Sequence, residues 1–225
     1  MKQLVLDIRP DAPPTLDNFV VGGNDELVAA LRDLAHLADL AGHLYLWGPA
    51  GSGRSHLLRA TAAAAAAGRS ALYVAAADVG DDLPQTPGLL LAVDDAHALT
   101  PVAQIALFNA FNRSRPLGQT LLLAGRDAPR NLTLREDLRT RIGQCLVFEV
   151  RPLDDESRTA ILATLAARRG LRLADEVIDF LMRHGRRDLP SLLAVLDALD
   201  SASLERKRPV TLPLLREMMQ AGLDI

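Results

Sequence analysis

A glycine-rich stretch, "GPAGSGRS" (48–55), has the residue types and spacing of a phosphate-binding loop. It fits the pattern G-x-x-x-x-G-K-[ST], except that Arg54 stands at the lysine position. Backbone N–H groups of such a loop and of the following helix hold phosphates, and the Ser55 hydroxyl would reach Mg²⁺. The stretch predicts a nucleotide site. The residues predicted to bind the nucleotide here are Gly48, Gly51, Ser52, Gly53, Arg54, Ser55 and His56.

Two adjacent carboxylates end an apolar run further along the chain, in "LLLAVDDAH" (89–97). Asp94 could hold Mg²⁺ through water, and Asp95 could orient an attacking water. Aspartate is shorter than glutamate at the second position, which predicts weak catalysis of hydrolysis.

The arginine in the loop leaves open whether the chain hydrolyses a nucleotide or only holds one. The sequence contains two lysines and 23 arginines, so Arg54 could reflect a genome that favours arginine codons. However, a planar guanidinium and a compact ammonium are not equivalent where phosphates are reached through a tight loop.

Short apolar runs alternate with helical patterns, which predicts a largely parallel sheet with helices on both faces. The five predicted strands are 43–47, 70–77, 88–95, 119–125 and 144–150. Helices are predicted over 55–67 and 100–114. Beyond Val150 the pattern is helical only, near 152–170, 175–184, 189–204 and 212–221, which predicts a small second domain.

Composition excludes several classes of protein. A chain of 225 residues with 49% hydrophobic residues can bury its own core. The single cysteine, Cys145, rules out an internal disulfide framework and favours a reducing cytoplasm. The sequence contains no run of 18 apolar residues, so no membrane span is predicted. A net charge of −3 argues against direct DNA binding.

Six segments, taken in order from Thr15 to about Leu199, resemble the AAA+ domain of the DnaA family. They are "TLDNFVVGGNDEL", "GPAGSGRSHLL", "LLLAVDDAH", "ALFNAFNR", "DLRTRI" and "RRDLPSLLAVLDAL". The resemblance implies an α/β fold: an AAA+ P-loop domain with a parallel five-stranded sheet (11–151), followed by a small α-helical lid domain (152–225).

The resemblance also implies roles for individual residues. Phe19, Val20 and Val21 would form part of an adenine pocket. Arg141 would be an arginine finger, and Arg187 the second sensor. The first sensor stays unassigned because Arg126 and Asp127 reverse the order of the family's acidic residue and arginine.

The N-terminus, "QLVLDI" (3–8), resembles the peptide that bacterial proteins insert into the sliding clamp, the beta subunit of DNA polymerase III. Within residues 1–10 the candidate contacts are Gln3, Leu4, Leu6 and Ile8. We expect no counterpart of the helix-turn-helix domain that follows the lid in DnaA. This combination resembles the DnaA-family regulators that inactivate DnaA, in which arginine commonly replaces the loop lysine.

The resemblance therefore implies a cytoplasmic negative regulator of DNA replication initiation. It would bind ADP (or ATP) with Mg²⁺, dock on the DNA-loaded clamp and present Arg141 to the ATP of DnaA. Its own ATPase activity would be weak at most, and it would contact DNA only indirectly. It would form a homo-dimer or a higher homo-oligomer. Two alternatives remain: an autonomous DnaA-like or helicase-loader ATPase that uses Asp94 and Asp95, and a tether that leaves the nucleotide of DnaA untouched.

Overall fold

The computed structural model describes residues 13–36, 42–168, 170–185, 189–206 and 208–223. They fall into two compact units, with one running from Pro13 to Pro152 and the other starting at Leu153.

The first unit is built on a five-stranded sheet. Its strands are β1 (Leu44–Trp47), β2 (Ala71–Ala75), β3 (Leu90–Asp94), β4 (Thr120–Gly125) and β5 (Leu146–Glu149). They are ordered β2-β3-β4-β1-β5, and every neighbouring pair is parallel. The prediction of a parallel five-stranded sheet is confirmed.

Alternating side chains of the central strands enter two separate cores. Leu91 and Val93 of β3 pack on one face, and Leu90 and Ala92 pack on the other. Every residue of β3 and β4 is buried, as expected for strands covered by helices on both sides. Asp94 therefore lies on the same face as Leu90 and Ala92, because side chains two residues apart share a face.

In the described part of the first unit, four α-helices cover the sheet: α1 (Asp25–His36), α2 (Arg54–Ala65), α3 (Pro101–Leu117) and α4 (Glu136–Gly143). Buried side chains of α1 and α2 belong to the core of one face, and those of α3 and α4 to the core of the other. Helices on both faces confirm the predicted layering, although α1 and α4 were not among the predicted helices.

Helix α3 begins where its sequence indicated. The hydroxyl of Thr100 accepts a hydrogen bond from the N–H of Ala103, and Pro101 takes the first helical position. The helix continues three residues beyond the predicted end at Ser114. Pro116 lies in its last turn, and Gly118 ends it in a left-handed conformation (φ 60°).

The second unit contains α5 (Asp155–Arg168), α6 (Asp175–His184), α7 (Leu189–Arg206) and α8 (Leu212–Gln220). Their apolar faces enclose one further core, which includes Leu162, Leu181, Leu196 and Leu215. The predicted helical domain is confirmed, since the described residues of this unit form no strand. No helix in the described part of either unit has the length and apolar character needed to cross a bilayer.

His43, just before β1, joins α3 to the sheet. Its Nδ1 accepts the backbone N–H of Leu121 at 3.1 Å, so Nε2 carries the hydrogen and faces Ser114 Oγ at 3.0 Å. Ser114 in turn donates to the carbonyl of Phe111. Burial lowers the pKa of His43 below its ordinary value of 6.5, because the charged form is poorly solvated there.

We expect the free energy of unfolding to fall as the pH drops from 7.5 to 5. The unfolded chain takes up a proton on His43 near pH 6.5, whereas the folded chain does so only at lower pH. Urea unfolding at the two pH values should therefore show a smaller loss for His43→Gln than for wild type. An identical loss in both proteins would contradict the prediction. His56, whose pKa burial also lowers, accounts for part of the loss that remains.

Candidate functional site

The glycine loop joins the end of β1 to the start of α2. Gly51 and Gly53 have φ angles of 76° and 95°, which residues with a Cβ rarely adopt. A Cβ on Gly48 would lie 2.6 Å from the carbonyl oxygen of Val150 and 3.0 Å from Ser52 Oγ. The loop is therefore a tight backbone cradle in which Gly48, Gly51 and Gly53 are favoured over residues with a Cβ.

Two polar atoms of the loop are buried without a hydrogen-bond partner among the described residues, Ser52 Oγ and Arg54 Nη1. A buried donor without a partner costs about 1–3 kcal/mol. Atoms of this kind in a backbone cradle fit an anionic ligand such as a phosphate. Ser55, the candidate Mg²⁺ ligand, is half-buried at the start of α2.

The Arg54 side chain lies beside Asp95. Its Nη2 is 3.8 Å from Asp95 Oδ1, and His97 Nδ1 is 3.9 Å from the same oxygen. Asp95 is in the left-handed region (φ 51°, ψ 39°), which non-glycine residues rarely adopt and which is often found at functional sites. The structure thus pairs the second carboxylate with the loop arginine, a contact that the sequence analysis did not predict.

Asp94 is held by donors of the chain itself. It is buried at the end of β3, where Oδ2 accepts from the Tyr73 hydroxyl at 2.9 Å and Oδ1 from the N–H of Asp95 at 2.9 Å. Burial and this hydrogen bond raise the pKa of Tyr73. The guanidinium of Arg59, one turn beyond Ser55 on α2, lies 4.9 Å from the centre of the Tyr73 ring.

Tyr73 and Arg59 were not identified from the sequence. Each is an ordinary residue in its own segment: the pairing of β2 with β3 brings Tyr73 to Asp94, and the packing of α2 brings Arg59 to the Tyr73 ring. The one available signal was that Arg59 lies on the helix predicted to follow the glycine loop.

The segment before α1 packs on the glycine loop. Phe19 is buried, and a Cβ on Gly53 would approach its ring to 2.7 Å. The Phe19 and His56 rings lie 5.6 Å apart between centres. Val20 and Val21 follow, each half-buried. The structure therefore places Phe19, the first of the three residues assigned to an adenine pocket, against the loop.

Asn24, which the sequence analysis did not single out, fixes this segment to the end of the sheet. Its amide nitrogen donates to the carbonyls of Val21 and Arg151, and its amide oxygen accepts the N–H of Arg151. His56 adds a contact of 2.9 Å from Nε2 to the carbonyl of Thr15. These contacts hold the segment over the start of α2.

Arg141 lies near the end of α4 with its side chain exposed. Its Nη2 donates to Asn112 Oδ1 of α3 at 3.0 Å. It lines an open depression of about 710 Å³ on the first unit, together with Phe108, Arg135, Glu136, Asp137 and Thr140. In the described part of the chain, the Arg141 side chain thus forms its hydrogen bond with α3 and not with the glycine loop.

Some of the candidate residues lie outside the described part of the chain. These are Arg187, the candidate second sensor, and the clamp-peptide residues Gln3, Leu4, Leu6 and Ile8. Among the described residues, no group of three or more histidine, cysteine or carboxylate side chains is arranged to hold a metal ion.

Three comparisons identify relatives of this chain. The sequence model described as "Hda, lid domain" matches residues 155–219. A protein of Haemophilus influenzae described only as uncharacterized is 33% identical over 231 residues, which cover 97% of this chain and 98% of the relative.

The fold matches solved structures of DnaA. Domain III of Thermotoga maritima DnaA superimposes with a TM-score of 0.76 at 20% identity, over 97% of this chain and 100% of that one. A structure of DnaA bound to AMPPCP and single-stranded DNA has a TM-score of 0.69 at 25% identity, over 86% of this chain and 67% of that one.

The three findings agree with the glycine loop, the order of the strands and the helical second unit. The chain belongs to the Hda and DnaA-related family of AAA+ proteins.

Proposed function

We propose that this chain is a negative regulator of DNA replication initiation. In this proposal it is an ADP-bound adaptor that docks on the DNA-loaded sliding clamp and stimulates hydrolysis of the ATP held by DnaA. The observation that carries the proposal is the environment of the Arg141 side chain. That side chain is exposed and its described partner is the neutral amide of Asn112, so its charge is available to a phosphate on another protein.

The glycine loop is the proposed site for ADP (or ATP). Its backbone cradle and the buried, unpartnered atoms of Ser52 and Arg54 support phosphate binding. The capture of AMPPCP by a DnaA of the same fold is in keeping with this role. We propose that Phe19, Val20 and Val21 contact the adenine.

Ser55 and Asp94 are the proposed Mg²⁺ site. Mg²⁺ would neutralise phosphate charge there, with Ser55 contacting it and Asp94 reaching it through water. Tyr73 holds the Asp94 carboxylate in place. Hydrolysis by this chain alone would be weak, because Asp95, the carboxylate needed to orient water, lies against Arg54.

The remaining assignments follow from the same proposal. Residues 1–10 would bind the clamp, 11–151 would hold the nucleotide, and 152–225 would form the lid, with Arg187 as its sensor. The partners would be DnaA, the clamp, DNA through the clamp, and further copies of this chain in a homo-dimer or higher homo-oligomer. The proposed compartment is the cytoplasm.

Single-turnover hydrolysis of ATP preloaded on DnaA tests this function. The clamp is held constant on DNA, and this protein is titrated with ADP present. We expect hydrolysis by DnaA to accelerate and the protein to show little turnover alone. Turnover by the protein alone that collapses in Asp95→Asn would instead identify an autonomous ATPase. Binding of DnaA without any acceleration would identify a tether.

Substitution of two N-terminal residues by alanine tests docking on the clamp. Gln3→Ala combined with Leu6→Ala should abolish capture by the immobilised clamp, because apolar anchors contribute most of the affinity of such peptides. Thermal stability and ADP affinity should stay within error of wild type. A matched variant, Lys2→Ala, should bind the clamp normally. Wild-type capture by the double variant would refute the clamp assignment.

A further inference from the structure

Asp137 and Arg141 lie four residues apart on α4, and both line the open depression on the first unit. Side chains at this spacing share a face of a helix. An aspartate followed four residues later by an arginine ordinarily forms an ion pair on an exposed helix. Within the described part of the chain, Arg141 forms no such pair, and its guanidinium donates to the neutral amide of Asn112 instead.

Arg135, directly before α4, binds the Asp137 carboxylate. Its Nη2 lies 2.7 Å from Asp137 Oδ2 and its Nε 3.2 Å from Asp137 Oδ1, the two contacts of a bidentate pair. The N–H of Leu138 also donates to Oδ1, at 2.8 Å. These hydrogen bonds, with the one from Arg135 as the largest cause, lower the pKa of Asp137 below its ordinary value. The carboxylate is therefore already engaged at the start of α4.

We propose that Arg135 is a positioning residue for Arg141: it binds Asp137 and thereby keeps that carboxylate from pairing with Arg141. This rests on the proposed function, since it assumes that Arg141 acts on the ATP held by DnaA. An arginine paired with a carboxylate offers less to a phosphate, because the two anions compete for the same donors. Arg135 thus acts through Asp137 and does not itself reach the phosphate.

The hydrogen bonds around the depression favour this indirect role for Arg135. Two of its guanidinium nitrogens are already bonded to Asp137. Arg141, in contrast, uses one nitrogen in its described contact with Asn112. Arg141 therefore has donors left for the planar, bidentate contact that a guanidinium makes with phosphate oxygens.

The strength of an exposed ion pair sets the size of the expected effect. The Arg135 and Asp137 side chains are 45% and 35% exposed, and exposed pairs change an equilibrium by about fivefold at most. We therefore expect Arg135→Ala to lower the stimulation of DnaA by about two- to fivefold. This loss is much smaller than the loss expected when Arg141 itself is removed.

Single-turnover hydrolysis of ATP preloaded on DnaA, with the clamp held constant on DNA, measures this loss and its rescue. Arg135→Ala combined with Asp137→Asn should restore wild-type stimulation. Asparagine keeps an oxygen for the N–H of Leu138 but has no charge with which to pair Arg141. Stimulation that stays low in this double variant would overturn the inference, as would wild-type stimulation by Arg135→Ala alone.

Arg135→Ala combined with Glu136→Gln is the matched control. Glu136 lines the same depression, and this double variant has the same net charge as the one with Asp137→Asn. Glu136, however, lies five residues before Arg141 and not four, so stimulation should stay as low as in Arg135→Ala. Equal rescue by both double variants would show that net charge alone is responsible and would overturn the inference.

A second measurement needs only this protein. NMR titration of the Asp137 carboxyl gives its pKa in Arg135→Ala and in Arg135→Ala combined with Arg141→Ala. We expect a lower pKa in the first variant, because Arg141 takes over the carboxylate and an opposite charge favours the ionised form. Equal pKa values would overturn the inference. If wild-type protein does not stimulate DnaA, the proposed function is overturned, and the titration still decides whether Asp137 turns to Arg141.

Discussion

Replacing Arg141 with alanine should remove most of the stimulation of DnaA ATP hydrolysis that we propose for this protein. An arginine supplied to a neighbouring active site stabilises charge on the transferring phosphoryl group, an effect of ~10³ to 10⁵ in rate in other phosphoryl-transfer systems. Folding, clamp binding and ADP binding should be retained, because the side chain is exposed and its described hydrogen bond is to Asn112 alone.

Two other arginine variants sharpen this test. Arg141→Lys should restore stimulation only in part, since lysine keeps the charge but lacks the planar fork that matches phosphate oxygens. Arg139→Ala, on the same helix, removes a positive charge from α4 without touching Arg141 and should stimulate as wild type does. The measurement is single-turnover hydrolysis of ATP preloaded on DnaA. Full stimulation by Arg141→Ala would rule out the arginine finger.

Gly125→Ala should destabilise the first unit by about 3 kcal/mol, at the upper end of the cost of overpacking a core. Gly125 ends β4 beside β1, and a Cβ there would lie 2.2 Å from the hydroxyl oxygen of Tyr45. The Tyr45 ring is fully buried and its hydroxyl donates to the carbonyl of Asp127 at 2.7 Å. Neither the ring nor the strand can therefore move aside easily.

A double-mutant cycle isolates this contact. Tyr45→Phe alone should cost about 1 kcal/mol for the lost hydrogen bond. In the double variant the closest atom is absent, so urea unfolding should give a loss smaller than the sum of the two single losses. Gly68→Ala is the matched control, because a Cβ there meets nothing within 4 Å. Additive losses would show that Gly125 and Tyr45 do not clash.

The strands and most helices could be predicted because their signals are local. Continuous apolar runs mark β3 and β4, and Thr100 with Pro101 marks the start of α3. Helix α1 was not predicted although its signals are also local, with Asp25 and Glu26 in its first turn and buried apolar residues at helical spacing. Helix α4 has weaker signals. Only 8 residues form α4, and just two of them, Leu138 and Ile142, are buried.

The partners of the site residues could not be predicted, because they depend on which elements become neighbours in space. Tyr73 reaches Asp94 since β2 pairs with β3, and Asn112 reaches Arg141 since α3 packs against α4. Neither separation along the chain nor residue type gives that information. The motif pattern gave the position of Arg54 but not its contact with Asp95.

The order of the strands has a consequence for synthesis. Strand β1 is synthesised early, yet both strands that pair with it, β4 and β5, are synthesised much later. The carbonyl of Val150, which directly follows β5, lies against Gly48 of the glycine loop. A chain still emerging from the ribosome therefore cannot complete the walls around its glycine loop until Val150 has left the exit tunnel. Long-range pairing of this kind forms slowly, so a nucleotide can favour the folded chain only late in its translation.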